Sequence, residues 1–274
     1  RNLSPKIKFL GQFIAVSILM AQPDFRILSL HGFMGVDEIP LVISVLGSMF
    51  FLLGLINAFN LIDGIDGLTG ITGIIVASFY SFMFYNLGSY FYLALSLTTI
   101  ATLLAFLRFN FSTKRKIFMG DTGSLVIGLV LGLLTLKLMT LENASTAFPF
   151  NRQQLPLFLA AVLFIPVLDL FRVMTLRASK GVSMFRPDRN HIHHIIVDFG
   201  LSHRKASIFI GIVNFIVAFV MFNAIQVYNS LTSTFILMTL FLLAIIILFL
   251  MNKNRAAIKL KLKIKRSMLT FLSF

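Results

Sequence analysis

The sequence predicts an all-α, polytopic integral membrane protein with about eight transmembrane helices. Of its 274 residues, 58% are hydrophobic and only 10 are acidic. Its long apolar runs are continuous rather than alternating, which favours helices over a membrane β-barrel. A soluble domain of this length would have a much more polar composition, so that class is excluded.

Each predicted span is an apolar run of roughly the 20 residues that a helix needs to cross a bilayer. The spans lie near residues 7–23, 40–59, 68–86, 88–107, 122–141, 155–176, 206–224 and 232–252. Residues 1–252 are therefore predicted to form a single transmembrane domain, and residues 253–274 a basic cytoplasmic tail. The chain contains no cysteine, which excludes disulfide and thiolate chemistry.

The positive charges orient these spans. With Arg1 in the cytoplasm, all but three of the 24 Lys and Arg residues fall on inner segments, the exceptions being Arg26, Lys137 and Arg152. Because Lys and Arg favour the cytoplasmic side of a membrane, the net charge of +14 indicates topology rather than nucleic-acid binding. Nearly all reactive residues lie in the inner loops, so the predicted site faces the cytoplasm.

The first inner loop has polar side chains at every third position, a spacing that aligns them along one face of a helix end. They are Asn57, Asn60, Asp63 and Asp66. Carboxylate and amide oxygens suit Mg²⁺ and the surroundings of a phosphate. Polar residues at the edge of a membrane are usually functional. The alternative is a helix C-terminus with Asx turns.

The second inner loop places Asp121 in the stretch Met119-Gly-Asp-Thr-Gly-Ser124, directly before the fifth span. A helix N-cap is one interpretation of this carboxylate. A second acid beside a Gly-rich turn on the same membrane face favours a metal ligand instead. The basic run 114–116 just upstream is interpreted as a topology anchor, with attraction of phosphates as the alternative.

The third inner loop has three histidines within four positions, and arginines nearby. The histidines are His191, His193 and His194, and Arg186 precedes them. Imidazole relays protons and binds phosphates or metals, and arginine binds phosphate in a bidentate manner. Without cysteine or a close acidic pair, zinc is disfavoured, and an anion-binding loop fits better. A solvated basic loop remains the alternative.

Polar and small residues inside the spans have structural interpretations. Asp169 and Arg172 are three residues apart and are predicted to form an intramembrane ion pair. The spacing Gly128-x-x-x-Gly132 predicts close helix packing.

The inner loops together offer acids, amides, imidazoles and guanidiniums on one face, which is what phosphoryl transfer with Mg²⁺ requires. The membrane setting suggests a lipid reactant.

The inner loops closely resemble those of the polyprenyl-phosphate N-acetylhexosamine-1-phosphate transferases of glycosyltransferase family 4. The matching stretches are 57–67, 119–124 and 186–194, with Pro166-Val-Leu-Asp169 and the pair Lys8 and Gln12. The resemblance implies transfer of a sugar 1-phosphate from a UDP-sugar to undecaprenyl phosphate, with release of UMP. The His-Ile-His-His form resembles the GlcNAc branch, which implies UDP-GlcNAc and the start of a cell-envelope polysaccharide such as lipopolysaccharide.

The resemblance also implies residue roles. The metal ligand would be Asp121, holding Mg²⁺ with Mn²⁺ as an alternative ion. The catalytic residues would be Asp63, Asp66, His191, His193, His194 and Lys8. The substrate-binding residues would be Asn57, Asn60 and Arg186. The implied partners are the UDP-sugar, undecaprenyl phosphate and the lipid bilayer of the bacterial cytoplasmic membrane, with no nucleic acid; a homodimer is left open.

One departure from the family pattern concerns the N-terminal part. The family has about eleven spans and an Asp-Asp pair at the inner end of the third, and no Asp-Asp occurs in this sequence. We therefore expect that the chain is N-terminally truncated and, as given, inactive or impaired. The rival interpretations are an ion-coupled secondary transporter and a non-catalytic scaffold. Transporters gather such groups at the bilayer midplane, whereas here they gather on one face.

Overall fold

The computed structural model describes residues 4–141, 148–182 and 190–272, with side chains described as far as residue 254 in the last helix. The helices are α1 (Pro5–Leu19), α2 (Leu41–Ile62), α3 (Leu68–Asn86), α4 (Tyr90–Asn110), α5 (Gly120–Thr140), α6 (Leu155–Val162), α7 (Phe164–Ser179), α8 (Ile192–Asp198), α9 (His203–Val227) and α10 (Ser230–Leu272). An antiparallel hairpin of β1 (Ser29–Phe33) and β2 (Val36–Glu38) connects α1 to α2. Short 3₁₀ turns lie at Pro23–Phe25 and Arg152–Gln154.

Six described helices are long and apolar enough to cross a membrane, namely α2, α3, α4, α5, α9 and the first 25 residues of α10. The bent pair of α6 and α7 makes a seventh candidate. The predicted all-α, polytopic membrane fold is confirmed. The hairpin was not predicted, and the predicted boundary at residue 252 falls inside α10, which continues without a break.

The helix found at the first predicted span, 7–23, is shorter than expected. Helix α1 has 15 residues, about 22 Å at 1.5 Å per residue, whereas a bilayer core is about 30 Å thick. The helix ends because the chain turns at Met20 and Pro23 then starts a 3₁₀ turn. Among the described residues there are thus six or seven helices of spanning length, compared with about eight predicted spans, and α1 is shorter than these.

The sixth predicted span, 155–176, is two helices that meet at 69° rather than one. Pro166 cannot donate the backbone hydrogen bond that would continue the helix past Leu163. Asn214 of α9, which is fully buried, satisfies the groups left free: Ile165 N donates to its Oδ1 at 2.9 Å, and its Nδ2 donates to Val162 O at 3.1 Å. Such a break is tolerated inside a membrane only where neighbouring protein supplies the lost partners.

The helices alternate in direction, which gives the bundle two polar ends. The site end comprises residues 60–67, 108–121 and 190–205, and the hairpin end comprises residues 20–40, 86–90 and 148–154. At the hairpin end, Lys137 of α5 pairs with Asp24 at 2.7 Å, and His31 contacts Met139 O through Nε2 at 2.8 Å. Both contacts fasten the hairpin segment to the C-terminus of α5.

Close packing of α5 on α2 positions the site end. A methyl group on Gly128 would lie 2.8 Å from the backbone Cα of Ile56, and one on Gly132 would overlap the side chain of Leu52. The predicted role of this glycine pair in helix packing is confirmed. Because the helices touch so closely, the C-terminus of α2 and the N-terminus of α5 meet at the site end.

Candidate active site

The meeting of α2 and α5 joins the first two polar loops. Asn60 donates from Nδ2 to Asp121 Oδ1 at 3.1 Å and to Ser124 Oγ at 2.9 Å. Asp121 lies in the first turn of α5, where the positive end of the helix dipole favours a carboxylate. Its side chain is 53% exposed, so a ligand in solution can reach it.

Helix α1 contributes side chains to this cluster in addition to those of α2 and α5. Lys8 forms an ion pair with Asp121 through Nζ. One turn further along α1, Gln12 Oε1 accepts a hydrogen bond from Asn57 Nδ2 at 2.8 Å. The structure thus brings together Lys8, Asn57, Asn60 and Asp121, which the sequence spreads over more than 110 residues. Gln12 and Ser124 are additional members.

Asp63 follows the last residue of α2 at the same end. Burial, together with the negative charge of Asp121, raises the pKa of Asp63 to about 6. Two carboxylates that influence each other in this way are suited to sharing a cation. A carboxyl group that titrates near neutral pH is also suited to proton exchange with a substrate.

Asp66 belongs to a neighbouring group of contacts. Its carboxylate Oδ2 accepts from Lys116 Nζ at 2.6 Å and lies 3.5 Å from His203 Nδ1. Its carbonyl accepts a hydrogen bond from Ser207 Oγ at 2.6 Å. Lys116 therefore contacts a site residue, a role that the anchor interpretation did not include. His203 and Ser207 carried no motif and were missed.

The histidine run packs directly against the first loop. His193 is 2% exposed, and its ring lies against Gly64, where an added methyl group would overlap it. Burial, reinforced by the neighbouring charge of His194, lowers the pKa of His193 to about 3, so the ring is neutral at physiological pH. Within the described residues, both ring nitrogens of His193 lack a hydrogen-bond partner.

The remaining histidines surround that ring. His191 stacks parallel to His193 at 5.6 Å between ring centroids, and His194 lies 4.3 Å from His193. His191 Nδ1 contacts Asp169 Oδ2 at 2.8 Å. The predicted ion pair of Asp169 with Arg172 is present at 3.3 Å, but it belongs to this larger network. Arg186 lies outside the described residues.

The donor set suits a hard divalent cation. Asp121 and Asp63 supply carboxylate oxygens, and Asn60 holds the Asp121 carboxylate through its amide nitrogen. In the parts of the chain that the structure describes, no three His, Asp or Glu side chains gather closely enough to cage a metal. Mg²⁺ typically takes one or two carboxylates and completes its shell with water and substrate phosphates, so this residue set fits it.

Comparisons with known proteins agree on one family. The sequence model described as glycosyl transferase family 4 matches residues 1–139. A probable undecaprenyl-phosphate N-acetylglucosaminyl 1-phosphate transferase of Bacillus subtilis is 33% identical over 245 residues, covering 86% of this chain and 64% of the relative. Decaprenyl-phosphate N-acetylglucosaminephosphotransferase of Mycobacterium tuberculosis is 38% identical over 128 residues, covering 46% of this chain and 31% of the relative.

A third relative has a closely similar name. Undecaprenyl-phosphate alpha-N-acetylglucosaminyl 1-phosphate transferase of Haemophilus influenzae is 34% identical over 127 residues, covering 45% of this chain and 34% of the relative. The chain thus spans just under two thirds of the B. subtilis relative, and the other two matches cover about a third of each relative. With a family model that matches about half of its residues, the chain belongs to glycosyl transferase family 4.

Proposed function

We propose that this protein transfers GlcNAc 1-phosphate from UDP-GlcNAc to undecaprenyl phosphate. The observation that carries the proposal is the cluster of Lys8, Asn60 and Asp121, which joins cationic, amide and carboxylate groups from three helices at one accessible end. The names of the three relatives support a polyprenyl-phosphate acceptor and an N-acetylglucosamine 1-phosphate product.

The reaction is a single phosphoryl exchange. An oxygen of the lipid phosphate attacks the sugar-bearing phosphorus of UDP-GlcNAc. The bond from that phosphorus to the bridging oxygen breaks, and the electron pair leaves with UMP. The product is a lipid diphosphate that carries GlcNAc. In such a reaction the protein mainly positions two anions and stabilises their charge.

Lys8 and Asn60 are suited to the acceptor side of this exchange. The Lys8 ammonium now pairs with Asp121 and is partly exposed, so a phosphate can take the place of that partner. Asn57, anchored to Gln12, keeps α1 aligned with α2 beneath this pair. Asp121 is the proposed holder of Mg²⁺, with Mn²⁺ as an alternative. When bound, the ion would neutralise charge on the donor diphosphate.

The remaining acids and the histidine run are assigned to proton transfer and to the donor side. Asp63, with a pKa of about 6, can accept a proton from the lipid phosphate near neutral pH. Asp66 is held by Lys116 next to the histidines, where it can orient the nucleotide. His191 and His194, with Arg186, are proposed to bind the diphosphate, and the neutral His193 supports them.

The proposed setting is the bacterial cytoplasmic membrane, with the site end in the cytoplasm. The distribution of Lys and Arg supports this orientation, and the relatives named above come from bacteria. In that setting the product would begin a cell-envelope polysaccharide. Residues 1–252 remain the proposed catalytic domain.

A direct assay tests the proposal. Membranes that express the protein from its own reading frame, with whatever precedes Arg1 retained, are given Mg²⁺, labelled UDP-GlcNAc and undecaprenyl phosphate. We expect an organic-soluble, labelled lipid diphosphate and an equal amount of UMP. Asp37→Asn, on the exposed hairpin, is the matched control for acidic-residue variants and should retain full activity. If no UDP-N-acetylhexosamine gives a lipid product, the proposal is wrong.

A further inference from the structure

A buried carboxylate lies directly beneath the histidine run. Asp169 of α7 is 1% exposed, and its two oxygens receive hydrogen bonds from His191 Nδ1 at 2.8 Å and from Ile192 N at 2.9 Å. Arg172 donates to the same carboxylate at 3.3 Å and also to the carbonyl of Asn190. Both oxygens of Asp169 are therefore hydrogen-bonded, and most of their partners come from the start of α8 rather than from α7.

The contact with His191 determines which ring nitrogen carries a proton. An ionised carboxylate only accepts hydrogen bonds, so Nδ1 of His191 must be the protonated nitrogen. In the neutral ring, Nε2 is then left with its lone pair. Free imidazole side chains favour the opposite tautomer, and a carboxylate partner is the usual device by which proteins reverse that preference.

The contact with Ile192 fixes the backbone as well as the ring. Ile192 is the first residue of α8, and its N–H is one of the helix N-terminal donors that need an outside acceptor. Asp169 thus holds both the ring of His191 and the start of the helix that carries the next two histidines. Arg172 balances the charge of the acid from one turn away on α7 and closes the network.

We infer that Asp169 is a positioning residue: it sets the tautomer of His191 and, through His191 and Ile192, holds the histidine run in place for the substrate diphosphate. The substrate part of this role rests on the proposed transferase function. The tautomer part rests only on the contacts with His191 and Ile192. An ion pair that merely neutralised Arg172 would need neither contact.

Nitrogen-15 NMR of the histidine rings tests the tautomer. The [¹⁵N]histidine-labelled protein is placed in lipid nanodiscs at pH 9, well above the ordinary imidazole pKa of about 6.5. His191→Gln identifies the His191 signals by their loss. We expect His191 to carry its proton on Nδ1. In Asp169→Asn we expect a shift toward the Nε2-protonated form, whereas Asp37→Asn should leave the His191 signals unchanged.

The NMR outcomes separate a positioning role from a purely structural one. A proton on Nε2 of His191 in the unaltered protein would overturn the inference, and this measurement needs no variant of Asp169 to fold. Unchanged His191 signals in a folded Asp169→Asn protein would overturn it equally.

Enzyme kinetics test the substrate part separately. We expect Asp169→Asn to lower kcat/KM by about 10- to 100-fold, the range for loss of a residue that orients a functional histidine. Asp37→Asn should change it by less than twofold. Full activity in Asp169→Asn would refute the role of Asp169 in positioning the histidine run for substrate. If the unaltered protein makes no product, the transferase proposal fails while the tautomer result is still decided by NMR.

Discussion

Replacing Gly64 by alanine would put a methyl group into the space occupied by the ring of His193. The added carbon would lie no more than 3.0 Å from three atoms of that ring. Because His193 is 2% exposed, its ring has little room to move aside. The backbone at Gly64 does not have the positive φ that favours glycine, so alanine itself fits the backbone and the cost is steric.

Overpacking of this kind costs about 1–3 kcal/mol of unfolding free energy. Gly47→Ala is the matched control, because Gly47 lies in α2 and an added methyl group there has no neighbour within 4 Å. In a helix interior that control should be stabilising by up to about 1 kcal/mol. Replacement of glycine by alanine should therefore lower the free energy of unfolding at Gly64 and raise it at Gly47.

Unfolding by SDS in mixed micelles measures these free energies, and His193→Ala completes a double-mutant cycle. Without the ring, Gly64→Ala should lose most of its cost, which gives a coupling energy of about 1–3 kcal/mol. A coupling energy near zero would refute the reasoning, because it would mean that the ring does not press on Gly64. The histidine run and the first loop would then be independent of each other.

Further predictions concern the other parts of the molecule. Asp121→Asn should lower Mg²⁺-dependent turnover by at least about 100-fold while the protein still inserts, and full activity would remove Asp121 from the metal site. Folded Asp63 keeps its proton to about pH 6, whereas the unfolded carboxyl loses it near 3.8, so its contribution to stability should decline as pH rises through this window. Asp63→Asn should remove that decline from unfolding measured at several pH values. Asn214→Leu should cost about 1–3 kcal/mol for each backbone group left unpaired at the helix break, whereas Asn223→Leu, on the exposed face of α9, should cost little in the same unfolding assay.

Hydropathy predicted the spans well where a helix is long and straight, because apolar length alone determines such a helix. It failed at α1 and at the α6–α7 break. The break depends on Pro166, which is visible in the sequence, and on Asn214, which lies 49 residues after Ile165, its partner at the break. The sequence around Pro166 and the sequence around Asn214 give no sign that the two positions meet, so this contact can be recognised only in the folded structure.

The candidate site, like the fold, was only partly predictable from the sequence. The residue types and their loops could be read from the spacing of acids, amides and histidines. Their contacts could not, because Lys8 meets Asp121 across 113 positions and Ser207 meets Asp66 across 141. The burial of His193 was also hidden, since a histidine beside other histidines in a basic loop gives no sign that it faces inward.

The helix break at Leu163 has a consequence for the order of events during synthesis. Ile165 leaves the ribosome 49 residues before Asn214, an interval of about 2 to 10 s at roughly 5–20 residues per second. During that interval the break has two backbone groups without their final partner. The two backbone groups therefore gain their final partner only after α9 has entered the membrane beside the α6–α7 pair.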